Sequence, residues 1–491
     1  MTSHTSGPVR TVVIGGGITG LAAAHRLIEL AAERGVEPSV LLVESGPRVG
    51  GQIRTERHDR YLLECGPDTL VTSKPAGVSL CERLGLGGEI AGVESQRHGV
   101  QILHDGRLIR LPQGLAMLVP AGLPAVFRSP VFSWSGKMRM AAERYVPERP
   151  ESVRDESLTS FVTRRFGPEV AERVAEPIIA SLYTADANRL GLGTAMPRLL
   201  EMERRYGSIT RAFQIARRKH KQIAQGKHTG TYAQAAYLRG GFETIVERLV
   251  ERIGTDRVRT GAPVGSIARD AATASWKVRF ADGTAVDAES VLLTCPAHAA
   301  ANLLDELDRD LRSDLSRLDY ATCATVNLVY RREDIELPDD SFGFFVPRNE
   351  PVPILACSFV SKKFEGRVPD DSVLLRAFVG GARNPEQLEA DDASIERRTH
   401  DALTGVLEIR QPPVFVSTSR MERSMPQYEV GYTDAIDSIR ARLTRHPGLF
   451  VAGTALGAFG LPDCIASGES AAGEAIAFAL GTATTAEVAH R

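Results

Sequence analysis

The sequence predicts an α/β protein with three parts: a Rossmann-like unit, a mixed-sheet unit and a helical unit. Near the start, an apolar run at 11–13 leads through a glycine-rich turn into a helical pattern at 21–34 and then into a second apolar run at 39–44. That order is typical of a βαβ unit. Residues 76–225 show helical spacing of apolar residues, whereas residues 300–415 alternate short apolar strands with polar connectors. We therefore expect a parallel sheet, a mixed or antiparallel sheet in a second layer, and a helical part.

The first turn reads IGGGITG, Ile14 to Gly20. Gly15, Gly17 and Gly20 have the spacing G-x-G-x-x-G: the first allows a tight turn, the second lets the backbone approach a pyrophosphate, and the third lets the helix pack on the strand. The helix that follows presents free N–H groups and a positive dipole end to phosphate. The alternative is a glycine-rich turn that binds nothing.

The second strand ends in Glu44, where a carboxylate can accept hydrogen bonds from both hydroxyls of a ribose. The segment RVGGQIRT, Arg48 to Thr55, follows with another glycine pair and with Arg48 and Arg54, which we expect to face phosphate. A nicotinamide-binding unit does not need this second segment. The combination resembles the long FAD-binding signature of the flavin-dependent amine oxidase and porphyrinogen oxidase superfamily.

Composition limits the range of functions. With 491 residues, 43% of them hydrophobic and 24% charged, the chain is long enough for two or three domains with sizeable cores. The 59 basic and 61 acidic residues nearly cancel, so no nucleic-acid partner is expected. The basic run Arg217–Lys221 is accordingly expected to be a solvated surface.

The cysteines lie far apart and contain no C-x-x-C pair, which favours buried thiols in a reducing compartment, the cytoplasm: Cys65, Cys81, Cys295, Cys323, Cys357 and Cys464. The first strand begins within about a dozen residues of Met1, so we expect no secretory leader, and no apolar run is long enough to span a bilayer. The apolar, proline-broken segment Leu111–Trp134 leaves two alternatives open, a buried roof over a pocket or peripheral contact with the inner face of the membrane.

We expect the following organisation: a cofactor domain whose first part is 1–75, a helical domain with part of the pocket at 76–225, a second part of the cofactor domain at 226–300, the mixed-sheet substrate domain at 301–420 and the last part of the cofactor domain at 421–485. In the second part, ADGT at 281–284 predicts a hairpin and 290–296 predicts a strand that returns to the first sheet. Near the end, a strand at 449–452 leads into a helix that starts near Cys464.

The motifs follow one order along nearly the whole chain: the glycine loop, Glu44, RVGGQIRT, ECGPDT at 64–69, the Gly240-Gly241 helix, SMPQYEVGY at 424–432 and GLPDCI at 460–465. This order resembles the protoporphyrinogen/coproporphyrinogen oxidases of haem synthesis. The resemblance implies an FAD domain, a mixed-sheet substrate domain and a helical domain that in some members contacts a membrane.

Carried over residue by residue, the resemblance places FAD on the following residues: Gly15, Gly16, Gly17, Ile18, Thr19, Gly20, Glu44, Ser45, Gln52, Gly66, Pro67, Asp68, Thr69, Val264, Met421, Leu461, Pro462 and Asp463. Val264 is expected to offer backbone bonds to adenine. The chain departs from the family at Gln52, where relatives often carry Lys or Arg, and at Met421, where close relatives carry Trp. In the stretch Ile178–Gly191, which resembles the pocket-lining SGIYAGD segment, Ser181 and Ala185 replace glycines.

Two features favour the coproporphyrin-dependent branch. Gly99-Val100 stand where animal and plant-type protoporphyrinogen oxidases carry an Asn-Arg pair, and the first crossover, Ile28–Val40, is long. The resemblance thus implies six-electron oxidation of coproporphyrinogen III by O₂ with release of hydrogen peroxide, and protoporphyrinogen IX is the alternative substrate. Arg107, Arg204 and Arg205 are candidate propionate anchors.

The flavin carries the difficult chemistry in such enzymes, so no catalytic side chain is assigned and no metal is expected. His25 and His298 belong to no recognised constellation and are expected to be structural. A homodimer and transfer of product to the next enzyme of haem synthesis stay open, as do two other classes on the same architecture, a flavin amine oxidase and a carrier without activity.

Overall fold

A computed structural model describes residues 9–93, 99–112, 115, 123–150, 153–224 and 235–481, with backbone alone at 9–10, 123 and 217–224. The side chains of the basic run at 217–221, and residues 113–114 and 116–122 of the apolar segment, lie outside the described residues. The strands in chain order are β1 (Val9–Ile14), β2 (Pro38–Val43), β3 (Thr55–His58), β4 (Tyr61–Glu64), β5 (Leu70–Val71), β6 (Ile90–Gly92), β7 (Gly99–His104), β8 (Arg107–Arg110), β9 (Ala235–Leu238), β10 (Val258–Arg259), β11 (Val264–Arg269), β12 (Trp276–Phe280), β13 (Ala285–Ala288), β14 (Ser290–Leu293), β15 (Asp319–Arg331), β16 (Ile335–Glu336), β17 (Ser341–Phe345), β18 (Ala356–Phe359), β19 (Ser372–Gly380), β20 (Glu408–Ile409), β21 (Phe415–Gln427) and β22 (Leu449–Val451).

The helices in chain order are α1 (Ile18–Glu33), α2 (Pro75–Arg83), α3 (Leu123–Arg128), α4 (Trp134–Ala141), α5 (Leu158–Phe166), α6 (Pro168–Val170), α7 (Glu176–Leu182), α8 (Leu192–Ala195), α9 (Pro197–Tyr206), α10 (Ile209–Ala224), α11 (Glu243–Ile253), α12 (Ala297–Leu303), α13 (Arg309–Ser316), α14 (Val360–Lys363), α15 (Asp392–Thr404), α16 (Tyr432–Leu443) and α17 (Leu461–Ala479). A π-helical stretch, Ala171–Ala175, joins α6 to α7. Pro177 follows this stretch and has no N–H to donate to the residue four positions earlier, which accounts for the widened turn.

The predicted parallel sheet is present and has the order β10-β2-β1-β14-β22. Its neighbours are paired in parallel throughout. Alternate residues face opposite sides: Val13 and Leu292 pack with α1, whereas Val12 and Val291 pack against the core that contains Trp276. Burial on both faces is what makes these strands continuous apolar runs in the sequence.

The predicted mixed sheet is also present, with the order β21-β15-β19-β18-β17-β7-β8. The β17–β7 pair is parallel, and the other neighbours are antiparallel. The ADGT turn joins β12 to β13 in a three-stranded antiparallel sheet, as the sequence predicted.

Two segments differ from the predicted organisation. Residues 99–110 fall in the stretch that looked largely helical, yet they form β7 and β8 of the mixed sheet. The expected boundary between 420 and 421 falls inside β21, which pairs with β15 from Phe415 to Gln427. Because a strand is held along its whole length by its neighbour, the mixed sheet extends to Gln427.

Candidate cofactor and active site

The three glycines of the first turn meet three different constraints. Gly15 has φ +114°, which side-chain-bearing residues rarely adopt, and its N–H donates to the Val43 carbonyl at 2.9 Å. A Cβ on Gly20 would collide with the Gly15 carbonyl oxygen, so the third glycine permits the close approach of α1 to the turn. A Cβ on Gly17 would meet no protein atom within 4 Å. The protein alone therefore does not require glycine at 17, and the open space there fits the expected approach of a pyrophosphate.

Glu44 follows β2 and reaches the same turn. Its Oε2 accepts the Gly16 N–H at 2.7 Å, and its Oε1 accepts the Gly46 N–H at 2.7 Å and the Ser45 hydroxyl at 3.1 Å. The carboxylate thus lies beside the glycine loop at the carboxyl end of the parallel strands, where a ribose is bound in folds of this type.

The segment Arg48–Thr55 packs directly on the glycine loop. The Gly50 N–H donates to the Gly16 carbonyl at 2.7 Å, and a Cβ on Gly51 would lie 3.2 Å from the Gly17 Cα. Arg48 donates to the carbonyls of Val49, Gly51 and Ile53, and Arg54 pairs with Glu56 at 2.9 Å. Both arginines were expected to face phosphate, but they bind groups of the protein. Arg48 is held by carbonyls of its own segment, and Arg54 is held by the neighbouring Glu56. The side chain of Gln52 is exposed.

The turn 64–69 joins this domain to the mixed sheet. Asn327 donates to the Glu64 carbonyl at 3.2 Å, Thr325 donates to the Cys65 carbonyl at 3.0 Å, and Arg376 donates to the Gly66 carbonyl. A Cβ on Gly66 would collide with the Gln52 carbonyl oxygen. The backbone of the turn 64–69 is therefore in direct contact with the backbone of the segment Arg48–Thr55.

Asp68, expected at the cofactor, holds cations of the mixed-sheet domain. Its carboxylate pairs with Lys363 at 3.2 Å and with Arg376 at 3.3 Å, and it accepts the Thr69 hydroxyl. Burial alone would raise the pKa of Asp68, but the two cations and the Thr69 hydroxyl outweigh it and hold the pKa well below its usual range. Asp68 is thus a partly buried anion whose two ion pairs fix the turn.

Val264 and Met421, two further residues expected at the cofactor, lie in two other sheets. Val264 begins β11, directly after residues whose N–H groups bond to the Glu44 and Gly46 carbonyls at 2.9 and 2.7 Å. Met421 lies in β21 opposite Cys323, on the same strand face as Ser419, whose hydroxyl lies beside the Cys65 thiol.

Helix α17 begins beside α1. A Cβ on Gly468 would collide with the Thr19 carbonyl oxygen, and a Cβ on Gly453 would lie 3.0 Å from the Thr19 hydroxyl. Within the described residues, no side chain caps the first turn of either helix. Leu461, Pro462 and Asp463 form the first turn of α17, which starts three residues before the predicted position. Two uncapped N-termini side by side create a positive field that suits a dinucleotide.

Lys74, which the sequence analysis did not single out, pairs with Asp463 at the start of α17. Its side chain is 42% exposed. Lys74 precedes the first residue of α2, and its ammonium group lies beside the first turn of α17, where the flavin is predicted to bind.

Three buried tyrosines hold the loop that precedes α17. The Tyr428 hydroxyl shares its one hydrogen between the carbonyls of Thr454 and Ala458, at 2.8 and 2.9 Å, and the Tyr432 hydroxyl donates to the Ala455 carbonyl at 2.8 Å. The Tyr320 hydroxyl lies 2.8 Å from the Thr454 hydroxyl. The sequence singled out the MPQY motif but gave no role for its tyrosine.

A cavity of about 320 Å³ lies where the helical part meets the mixed sheet. Tyr320 and Tyr428 line it together with Ala185, one of the two positions where a family glycine is replaced. Ser181, the other position, is buried, and its hydroxyl hydrogen is shared by two carbonyls of its own helix, those of Pro177 and Ile178, both at 3.0 Å. Its hydroxyl is therefore satisfied within α7.

The two histidines have structural surroundings, as expected. His298 packs edge-on against Tyr320, with ring centroids 5.2 Å apart, and His25 is buried in α1 beside Glu29. Burial lowers the pKa of both imidazoles, so both are neutral at pH 7.

Comparison with known proteins decides the family. The model of the family described as flavin containing amine oxidoreductase matches residues 18–476. The chain belongs to this family. Membership confirms the flavin cofactor, FAD, and the oxidoreductase class predicted from the sequence.

Within the family, the most similar relatives include porphyrinogen oxidases, as the sequence motifs predicted. The chain is 30% identical to a coproporphyrinogen III oxidase of Bacillus subtilis over 96% of this chain and 99% of that protein. It is 31% identical to a coproporphyrinogen III oxidase of Propionibacterium freudenreichii over 97% and 92% of the two chains. A crystal structure from Exiguobacterium sp. 255-15, described as a protoporphyrinogen oxidase, superposes with a TM-score of 0.79 at 28% identity, covering 96% of this chain and 99% of that one.

Gly17→Leu should abolish FAD binding and leave the fold intact, because the added side chain enters space that meets no protein atom and that a pyrophosphate would fill. Gly473→Leu, at a glycine inside α17 whose Cβ would also meet nothing within 4 Å, is the control. Flavin absorbance of the purified proteins and far-ultraviolet circular dichroism check both points. Full flavin occupancy in Gly17→Leu would refute the assignment.

Glu44→Ala should weaken FAD binding by about 1.5–3 kcal/mol, the range for hydrogen bonds to a charged group. Titration of the apoprotein with FAD, followed by flavin fluorescence, gives the dissociation constant. Glu33→Ala, an exposed acid at the other end of α1, should change nothing. An unchanged constant for Glu44→Ala would reduce Glu44 to a residue that only orders the glycine loop.

Proposed function

We propose that the protein oxidises coproporphyrinogen III to coproporphyrin III with O₂ as the electron acceptor and hydrogen peroxide as the second product. The observation that carries this proposal is the junction of the predicted FAD site with the cavity between the helical part and the mixed sheet, through Tyr320, Tyr428 and the loop they hold. The names of the bacterial relatives support the substrate. Protoporphyrinogen IX is the second candidate, since relatives with that name match at lower identity.

The reaction removes three pairs of electrons from the macrocycle, and three O₂ become three hydrogen peroxide molecules. When bound, FAD supplies the acceptor for a hydride from a meso methylene and the route of electrons to O₂. The protein's part is to bind and orient. The first turns of α1 and α17 would supply N–H groups to the pyrophosphate and the isoalloxazine, and Glu44 would bind the ribose.

No side chain is needed as a strong base, because a pyrrole N–H becomes acidic once the adjacent carbon has lost a hydride. The groups around the site fit that view. Burial raises the pKa of Tyr320 to about 12, of Tyr183 to about 12 and of Cys464 to about 11, so all three stay protonated at neutral pH. These three side chains therefore donate hydrogen bonds or pack against their neighbours, and they do not exchange protons with the substrate.

The propionates distinguish the two candidate substrates. Coproporphyrinogen carries four, so its pocket needs several cations at a solvated rim and no single arginine at the position of Val100. Val100 lies in β7, and its carbonyl accepts the Leu111 N–H at 3.0 Å. The proposed anchors are exposed, Arg107 on β8 and Arg204 and Arg205 on α9. Each exposed contact is worth about 0.2–1 kcal/mol, so binding is expected to depend on several of them.

The enzyme should turn over coproporphyrinogen III faster than protoporphyrinogen IX under air. Porphyrin fluorescence gives kcat/KM for each substrate at matched salt, and a peroxidase-coupled assay counts the peroxide. Raised salt should increase KM progressively, because exposed ion pairs are screened. A clear preference for protoporphyrinogen IX would replace the first candidate with the second. Oxidation of neither, with flavin bound, would reopen the amine oxidase class.

We also propose peripheral contact with an anionic lipid surface through α4 and its neighbours. Among the described residues, no helix has the length and apolar character needed to cross a bilayer. Yet Trp134, Met138 and Tyr145 are 71%, 61% and 73% exposed, and exposed Arg128 and Arg144 lie beside them in the chain. Aromatic and basic side chains together are typical of surfaces that enter the membrane interface. Homodimer formation and transfer of the porphyrin to the next enzyme of haem synthesis stay predictions.

Trp134→Ala combined with Met138→Ala should reduce co-sedimentation with phosphatidylglycerol-containing vesicles several-fold, because these side chains supply the apolar area to be buried. Turnover in vesicle-free buffer should not change. Val414→Ala, at an apolar side chain 49% exposed next to β21, is the control and should bind vesicles like the wild type. Equal sedimentation of all three proteins would contradict the membrane contact.

A further inference from the structure

The loop between β22 and α17, residues 453–460, is the point where the three parts of the molecule meet. Gly453, Gly457 and Gly460 have φ of +86°, +87° and +79°, so the loop turns sharply at three places before the first residue of α17. Its path is set by contacts with other elements, because a chain with three such turns has little local preference for one conformation.

On the cofactor side, the 453–460 loop contacts α1 and α17. The Gly453 N–H donates to the Ser467 hydroxyl at 2.8 Å, and a Cβ on Gly453 would lie 3.0 Å from the Thr19 hydroxyl, so the loop packs closely on α1. The loop is therefore in contact with both helices that are predicted to hold the dinucleotide, and it leads directly into the first turn of α17.

On the substrate side, the loop is bound by hydroxyls from the mixed sheet and the segment that follows it. Tyr428 is fully buried, and its hydroxyl hydrogen is shared by two carbonyls of the loop, those of Thr454 and Ala458. Tyr320, 4% exposed, binds the Thr454 hydroxyl and accepts the Ala297 N–H at 2.9 Å. Both tyrosines also line the 320 Å³ cavity.

The helical part touches the same loop. Tyr183, directly after α7, stacks on Phe459 with ring centroids 4.1 Å apart and 13° between the planes. Tyr183 of the helical part and the two cavity-lining tyrosines, Tyr320 and Tyr428, therefore contact one loop, and that loop leads directly into the predicted flavin helix.

We infer that Tyr428, assisted by Tyr320, is a positioning residue that holds the first turn of α17 against the flavin. Because both tyrosines line the cavity and also bind the 453–460 loop, a movement of the cavity wall changes the position of that first turn. The inference rests on the proposed function for its consequence in turnover, but its consequence for FAD does not depend on the substrate. The competing view is that both are ordinary core tyrosines whose hydroxyls are merely satisfied.

The two views differ in what removal of a hydroxyl does. Tyr428→Phe keeps the ring that fills the core but removes the hydrogen that the Thr454 and Ala458 carbonyls share. Among the described residues, the Thr454 carbonyl then keeps only the Gly457 N–H at 3.2 Å, so the loop can rearrange. A positioning role predicts roughly tenfold weaker FAD binding, the effect of about one buried hydrogen bond, and a shifted visible spectrum of the bound flavin. It also predicts roughly tenfold lower kcat with a smaller change in the KM for the porphyrinogen.

Tyr330→Phe is the matched control. Tyr330 is fully buried in β15, like Tyr320, but its hydroxyl lies 3.1 Å from His400 Nδ1, away from the loop. This variant should lose stability to a similar degree and keep the FAD dissociation constant, the flavin spectrum and kcat of the wild type.

A double-variant cycle sharpens the test. Tyr320 and Tyr428 both bind Thr454, so the effects of Tyr320→Phe and Tyr428→Phe on FAD binding should be clearly non-additive, whereas Tyr330→Phe should combine additively with either. If Tyr428→Phe fails to fold, Tyr320→Phe alone carries the same expectations.

Stability loss in Tyr428→Phe with an unchanged FAD constant, spectrum and kcat would overturn the inference and leave a core tyrosine. Absence of porphyrinogen turnover in the wild type would instead refute the proposed function. The FAD titration and the flavin spectrum would still decide the positioning role in that case.

Discussion

Backbone contact between α1 and α17 is the constraint on which the rest of the structure depends. Gly20 and Gly468 are the positions where a single methyl group would collide with a carbonyl oxygen of the turn or of the partner helix. With glycine at both, the first and last helices of the cofactor domain touch, although more than 400 residues of chain separate them. The two chain ends therefore build one site.

That contact has an electrostatic cost. Two helix N-termini side by side place two positive partial charges, each of about half an elementary charge, at short range. Glu44, bonded to the Gly16 N–H, and Asp463, in the first turn of α17, offset part of this repulsion. A pyrophosphate offsets more, and a ligand that binds only the folded state adds its binding energy to stability. The cofactor is thus expected to stabilise the fold as well as to carry the chemistry.

Buried charge fixes the mixed sheet relative to the cofactor domain. The Glu64 carboxylate accepts the Thr55 hydroxyl at 2.9 Å and the Phe242 N–H at 3.0 Å, and it lies 3.4 Å from Arg367, whose side chain is 1% exposed. Burial raises the pKa of Glu64, and Arg367 opposes the shift. Removing one partner of such a pair costs about 3–5 kcal/mol because the other charge stays buried. The turn 64–69 therefore has little freedom to slide along the sheet.

Local signals in the sequence were enough for the βαβ unit, the hairpin at 281–284 and the motif order. They placed α1 and β2 to within a few residues, because glycine spacing and apolar runs act over short distances along the chain. They did not reveal β7 and β8, because β7 joins the mixed sheet by pairing with β17, more than 200 residues away, and β8 joins it through β7. The same limit applies to Asp68, whose cations are 295 and 308 residues distant, and to Tyr428, whose carbonyl partners are set by the tertiary fold.

The distribution of titratable groups indicates what the protein contributes to the reaction. Burial keeps the phenols of Tyr183 and Tyr320 and the thiol of Cys464 protonated far above neutral pH, and it keeps the His298 imidazole neutral. The fixed anions nearest the glycine loop and the connecting turn, Glu44 and Asp68, are engaged by N–H groups and cations. A site built in this way changes little in charge around pH 7, so its geometry stays constant while protons leave the macrocycle. That suits a sequence of three hydride transfers, in which the same pocket must accept a substrate whose own charge and planarity change at every step.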